Sequence, residues 1–164
     1  MAAYDASEWS DLFVASAGAG AALAGLVFVA VSINIDRILA LEGLPERALE
    51  TVLTLLMVVC VSIVGLIPGQ DNTALGAELL GLTAVFAIVI VRLSLRSLPK
   101  GSAPKQWLIG RVFVQAIALV PLLVGGISVL AENGGGLYWI AAGIIGSLVG
   151  AVANAWVLLV EILR

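Results

Sequence analysis

Leu12-Phe-Val-Ala-Ser-Ala-Gly-Ala-Gly-Ala-Ala-Leu-Ala-Gly-Leu-Val-Phe-Val-Ala-Val-Ser-Ile-Asn-Ile35 is a run of 24 residues without a charge. At 1.5 Å per residue it makes about 36 Å of helix, enough to cross the roughly 30 Å hydrocarbon core of a bilayer. Four further apolar runs follow, at about 48–67, 74–95, 107–131 and 137–163. Composition agrees: of 164 residues, 62% are hydrophobic and only 12% charged, and the mean hydropathy is +1.16. So few charges cannot cover the apolar surface of a soluble domain, so lipid must cover it. The expected fold class is all-α, an integral membrane bundle of five transmembrane helices in a single domain over 1–164.

The charges are sorted by side. Arg37 and Arg47 bracket one polar connection, Arg92, Arg96, Lys100, Lys105 and Arg111 lie in or beside another, and Arg164 is the last residue. The connections Pro68 to Thr73 and Glu132 to Gly136, and the segment before Phe13, hold no Lys or Arg. Basic and base-free connections therefore alternate, and the positive-inside rule places the N-terminus outside and the C-terminus in the cytoplasm. The aromatics fit this register. Tyr4, Trp9, Tyr138 and Trp139 fall at the outer interface and Trp107 at the inner one, while Trp156 falls in neither belt and is expected packed or facing lipid.

Local signals mark the connections. The first helix is expected to continue through Asp36-Arg37 to Glu42, where Gly43 stops it and Pro45 starts the next. Pro68-Gly69 reads as a turn, with Asn72 or Thr73 capping the third span. Pro121, with Gly125-Gly126 just after it, predicts a kink in the fourth span. Glu132-Asn-Gly-Gly-Gly136 reads as a flexible outer turn.

Two spans are rich in small residues. Gly18, Gly20, Ala24 and Gly25 occupy span one, and Gly146 and Gly150 lie on a four-residue stripe of span five with Ala142 and Asn154. Small side chains let backbones approach closely where lipid offers no hydrophobic drive between helices. Either spans one and five pack on each other within one bundle, or a stripe faces an oligomer interface or a pore.

Polar groups inside the spans are the other candidates. Glu78 enters span three from the outer side; near a helix start it meets the favourable end of the dipole and reaches water, or it faces the interior as a cation or proton site. Asn34, Arg111, Gln115 and Asn154 collect in the inner halves, with Glu50 and Thr54 at similar depth. They are either interhelical hydrogen bonds and snorkelling bases, or Asn34, Gln115 and Asn154 line a water-filled inner vestibule. Arg96, Lys100 and Lys105 determine topology and offer charge to anionic headgroups.

Much chemistry is excluded by what is missing. Histidine is absent and Cys60 is the single cysteine, which removes the commonest general base, the commonest metal ligand and any intramolecular disulfide. No P-loop, HExxH or nucleophile motif occurs, and Gly18-Ala-Gly20 has no strand before it. The acidic lead Met1 to Asp11 lacks the basic region of a secretory signal. The few bases carry no interleaved aromatics, so nucleic acid is not an expected partner. No enzyme activity, cofactor or metal is expected.

Glu8-Trp-Ser-Asp-Leu-Phe-Val14, followed by the Ala/Gly-rich span ending Leu26-Val-Phe-Val-Ala-Val-Ser-Ile33, resembles a group of small bacterial multi-pass proteins. Some of these are labelled modulators of the FtsH membrane protease. The resemblance covers about the first 36 residues, implies a bacterial cytoplasmic (inner) membrane location and carries over no functional residue. The sequence thus points to a non-enzymatic accessory, regulatory or self-associating subunit, packing against itself or another membrane protein within the lipid bilayer. The alternative is a homo-oligomeric ion channel or small-solute permease.

Overall fold

The computed structural model of the chain describes residues 2–41, 43–96 and 105–163, with side chains in the last segment described for 112–160. All regular structure in them is helical. Two short 3-10 turns, Ala2–Tyr4 and Ala6–Trp9, lead into α1 (Ser10–Ile33). Then come α2 (Ile35–Ala40), α3 (Leu44–Gly65), α4 (Asn72–Arg96), α5 (Lys105–Leu130) and α6 (Leu137–Leu163). Five helical stretches are long and apolar enough to cross a membrane: Ala6–Ile33, Leu44–Gly65, Asn72–Arg96, Val112–Leu130 and Leu137–Val160.

Short connections make sequential helices antiparallel neighbours. α3 packs on α4, α4 on α5, α5 on α6, and α6 returns to α3, which closes an up-down four-helix bundle. Its centre is filled by Met57, Val58, Leu79, Leu122, Ile140 and Ile144, all nearly or fully buried. α1 stands outside this ring against α3. Phe13, fully buried, anchors it: a Cβ on Gly65 would come within 2.6 Å of the Phe13 ring.

The expectation that spans one and five pack on each other is corrected. α1 makes its close contacts with α3, and α6 with α5 and α3. Sequence spacing shows that a helix has a small-residue face, but not which neighbour meets that face. The α5–α6 seam is the tightest. A Cβ on Gly143 would stand 2.5 Å from Leu122 Cγ, one on Gly146 2.7 Å from the Ile117 carbonyl oxygen, and one on Gly150 3.1 Å from Val114. α5 in turn sets Gly125 against Ile140 and Gly126 against Leu80 of α4.

Helix ends follow local chemistry, with two departures from expectation. The first helix does not run on to residue 42. It stops at Asn34 (φ −110°, ψ 19°), whose side-chain amide donates to the Ala30 carbonyl at 2.9 Å, and the separate α2 follows. An Asn side chain that bonds the preceding turn competes with helix continuation. Ile38 of α2 is buried with Leu44, Ala48 and Leu158, which fastens this corner to α3 and α6. Gly43 then takes φ +81°, and Pro45 lies in the first turn of α3. The cap of α4 is Asp71, not Asn72 or Thr73: its carboxylate accepts the Ala74 amide at 2.7 Å. α5 continues through Pro121 without a break in helix.

The exterior is apolar. Leu26, Phe28 and Ile33 on α1, Val85 on α4 and Trp156 on α6 are each well exposed. Such a surface suits hydrocarbon and not water.

Candidate functional site

Seven polar residues, scattered along the sequence, converge near the end of the bundle that carries the bases. On α3, Arg47, Glu50, Thr51 and Thr54 follow the spacing i, i+3, i+4, i+7 and so share one face. That face points at α4, α5 and α6. Gln115 of α5 donates through Nε2 to Glu50 Oε1 and to Ser94 Oγ of α4, both short contacts. Asn154 of α6 donates through Nδ2 to Thr51 Oγ1 at 3.0 Å and accepts from Arg47 Nη2 at 3.3 Å. Thr51 and Thr54 pass their own hydroxyl hydrogens to the Arg47 and Glu50 carbonyls, both at 2.9 Å.

Glu50 is the notable member. It lies six residues into α3, about 9 Å from the helix start, and is only 4% exposed. A carboxylate there persists only where donors surround it. Gln115 is one such donor, and the cluster joins α3, α4, α5 and α6 at a single level. Its chemistry is that of an interhelical clamp.

The sequence candidates divide on this geometry. Gln115 and Asn154 both reach α3, on adjacent residues. Asn34 does not join them: it is bonded to its own helix and borders a cleft between α1 and α6. A vestibule lined jointly by Asn34, Gln115 and Asn154 is therefore not formed. The Arg111 side chain, with those of Lys105 and Glu161, and all of Lys100 lie outside the described residues. Arg96 is exposed at the end of α4. Sequence reasoning missed Arg47, Thr51 and Ser94, because Arg47 reads as a loop base. The i, i+3, i+4, i+7 spacing was the signal that would have found Arg47 and Thr51; nothing in the spacing of α4 marks Ser94.

Glu78 does not face the interior. It is exposed on α4, and its Oε2 accepts from Gln70 Nε2 of the preceding loop at 2.6 Å.

At the opposite, base-free end the loops are tied together. Asn72 donates to Glu132 Oε1 at 2.9 Å, and Gly136 donates its amide to Ser128 Oγ at 2.7 Å. Tyr4 accepts the Gly135 amide at 3.1 Å, and Trp9 meets Tyr138 edge to face with centroids 4.7 Å apart. Gly136 sits at φ +50° hard against the Ala3 carbonyl, where no side chain has room. Asp5 starts the second 3-10 turn; the Ser7 hydroxyl, and then the Ser7 amide, hold its carboxyl below the usual range.

Comparison with known proteins adds no relative. No protein family, curated protein or solved structure matches this chain.

The small-residue candidates separate equally sharply. Gly20 is buried against α3, where a Cβ would meet Val59 at 3.0 Å and the Leu55 carbonyl at 3.3 Å, and Ala24 is half-buried. Gly146 and Gly150 belong to the α5–α6 seam. Gly18 and Gly25 meet nothing: no atom lies within 4 Å of a Cβ at either position. Seven residues apart, they share the side of α1 that faces away from the bundle, with exposed Ala21 and Ala22 between them.

Proposed function

We propose that this chain is a non-enzymatic integral membrane protein that acts by helix packing, and that the outward face of α1 is its contact surface. The supporting observation is the use made of glycine. Within the described spanning helices, Gly20, Gly65, Gly76, Gly125, Gly126, Gly143, Gly146 and Gly150 each abut another helix. Gly18 and Gly25 on α1, and Gly81 on α4, do not. A helix-interior glycine costs about 1 kcal/mol relative to alanine. Its return in a membrane is close backbone approach, and Gly18-x-x-x-Ala22 with Gly25 one turn on forms a small-residue stripe with no partner inside the chain.

The partner is a second copy of the chain, packed α1 on α1 about a two-fold axis, the commonest symmetry of homo-oligomers. The distribution of bases supports an orientation with the N-terminus outside and the C-terminus cytoplasmic. Both agree with an inner-membrane accessory or regulatory subunit. The channel alternative has less to support it: the bundle centre is filled with apolar side chains and Glu78 is turned outward.

Light scattering of the purified protein in nanodiscs tests the reading. The wild-type chain is expected as a dimer and Gly18→Leu/Gly25→Leu as a monomer, with helical content unchanged because neither position touches another helix. An unchanged mass in the double variant refutes the α1 interface.

A further inference from the structure

Between α1 and α6 a cleft of about 370 Å³ is left where the two helices diverge over α3. Leu26 and Ala30 form one wall, Ala151, Ala155 and Leu159 the other, and Leu55 of α3 lies between them. Asn34, at one end, is the only polar side chain among the described lining residues. Where Gly20 and Phe13 draw α1 onto α3 the gap is absent; it opens beyond them, toward the end that carries the bases.

We propose that this cleft holds one acyl chain of an anionic phospholipid, drawn from the leaflet at the base-bearing end. Three features select this occupant. Along α1 the cleft runs from Leu23 to Asn34, about 16 Å at 1.5 Å per residue. That is roughly half of the 30 Å hydrocarbon core, one leaflet deep. A partner's transmembrane helix would have to cross the whole core, and the cleft does not extend that far. The alanines at 30, 151 and 155 leave a narrow channel with apolar walls, which matches a hydrocarbon chain and offers nothing to a polar solute.

Charge then fixes the headgroup. The polar end of the cleft is marked by Asn34, and exposed Arg37 follows one turn later. Positive side chains at this level attract anionic headgroups, and the opposite end of the bundle has no base to compete. The site lies on the far side of α1 from Gly18 and Gly25. It needs the bilayer but not the α1 dimer, so the two readings fail independently.

The test is native mass spectrometry of protein reconstituted with equal phosphatidylglycerol and phosphatidylcholine, then released into mild detergent. One retained phospholipid per chain is expected, with phosphatidylglycerol favoured about fivefold. Ala30→Trp, which fills the cleft, should lower occupancy about tenfold or more. The milder Ala155→Leu should lower it in part, and guards against a folding failure in the tryptophan variant. Val85→Trp, on the exposed face of α4, should retain the lipid. Arg37→Gln should keep the lipid but lose the preference for phosphatidylglycerol. Equal occupancy in wild type, Ala30→Trp and Ala155→Leu would overturn the site. Equal retention of the two lipids by wild type would overturn the anionic headgroup. Loss of a dimer in Ala30→Trp with no lipid retained by wild type would assign the cleft to a second copy instead.

Discussion

Gly146 of α6 lies against the Ile117 carbonyl of α5, so close that a Cβ at residue 146 would stand 2.7 Å from that oxygen. Ile117 is four residues before Pro121, whose ring nitrogen has no hydrogen to donate. The helix therefore cannot bond this carbonyl in the usual way, and the glycine brings its Cα hydrogens against it. Such contacts contribute about 0.5–1 kcal/mol each. A mid-helix proline and a small-residue stripe, separate features in sequence, form one joint in the fold.

Enlarging that joint should therefore be costly. Gly146→Ala pushes a methyl group into backbone that has little freedom to give, and a loss of about 1–3 kcal/mol is expected. Gly81→Ala, where a Cβ meets nothing within 4 Å, should be neutral or gain up to about 1 kcal/mol from helix propensity. Thermal unfolding of both variants in one detergent reads the difference directly.

Two buried hydroxyls work against the fold. Ser62 Oγ and Thr83 Oγ1 are fully buried and have no hydrogen-bond partner. An unsatisfied buried donor costs about 1–3 kcal/mol. Thr83→Val keeps the shape and removes the hydroxyl, so its unfolding midpoint should rise, and Ser62→Ala should move the same way. A fall in both would show that these hydroxyls have partners in the bilayer.

The clamp near the base-bearing end should show energetic coupling. Thr51→Val and Asn154→Leu each break the 3.0 Å hydrogen bond between α3 and α6. A double-mutant cycle is expected to return about 0.6 kcal/mol of interaction, the usual size for such bonds in a membrane. Gln115→Leu removes a donor from buried Glu50 and should cost more, about 1–3 kcal/mol. Strict additivity in the cycle would mean that the bond contributes nothing.

The five helices were readable because 18 or more apolar residues in a row have few other stable uses. Their boundaries moved by a few residues where side chains competed for backbone groups. Asn34 ended α1 early, and Asp71 capped α4 just before the expected Asn72 or Thr73. The polar cluster was half legible: Gln115 and Asn154 stood out inside apolar runs, but Arg47 and Ser94 sat near helix ends and looked like interface residues. Which helix meets which was not legible at all. The small faces of α1 and α6 suggest mutual packing, yet the short loops place α5 beside α6 and leave α1 to α3. Spacing along one helix does not encode its neighbour.

Orientation has its own check. A cysteine replacing Asn133, in a chain with Cys60→Ser, should react with an impermeant thiol reagent added outside whole cells. One replacing Ser102 should react only after the membrane is opened. The reverse pattern would invert the topology inferred from the bases.

Self-contact through the outward face of α1 can be read by oxidative crosslinking in native membranes. With Cys60→Ser as background, Ala22→Cys lies between Gly18 and Gly25 on the unpartnered face, and Val31→Cys, half a turn away at about 180° round the helix, lines the cleft. A covalent dimer is expected from Ala22→Cys and none from Val31→Cys. Monomer alone from Ala22→Cys, with cysteines at positions 18 and 25 equally silent, would contradict it.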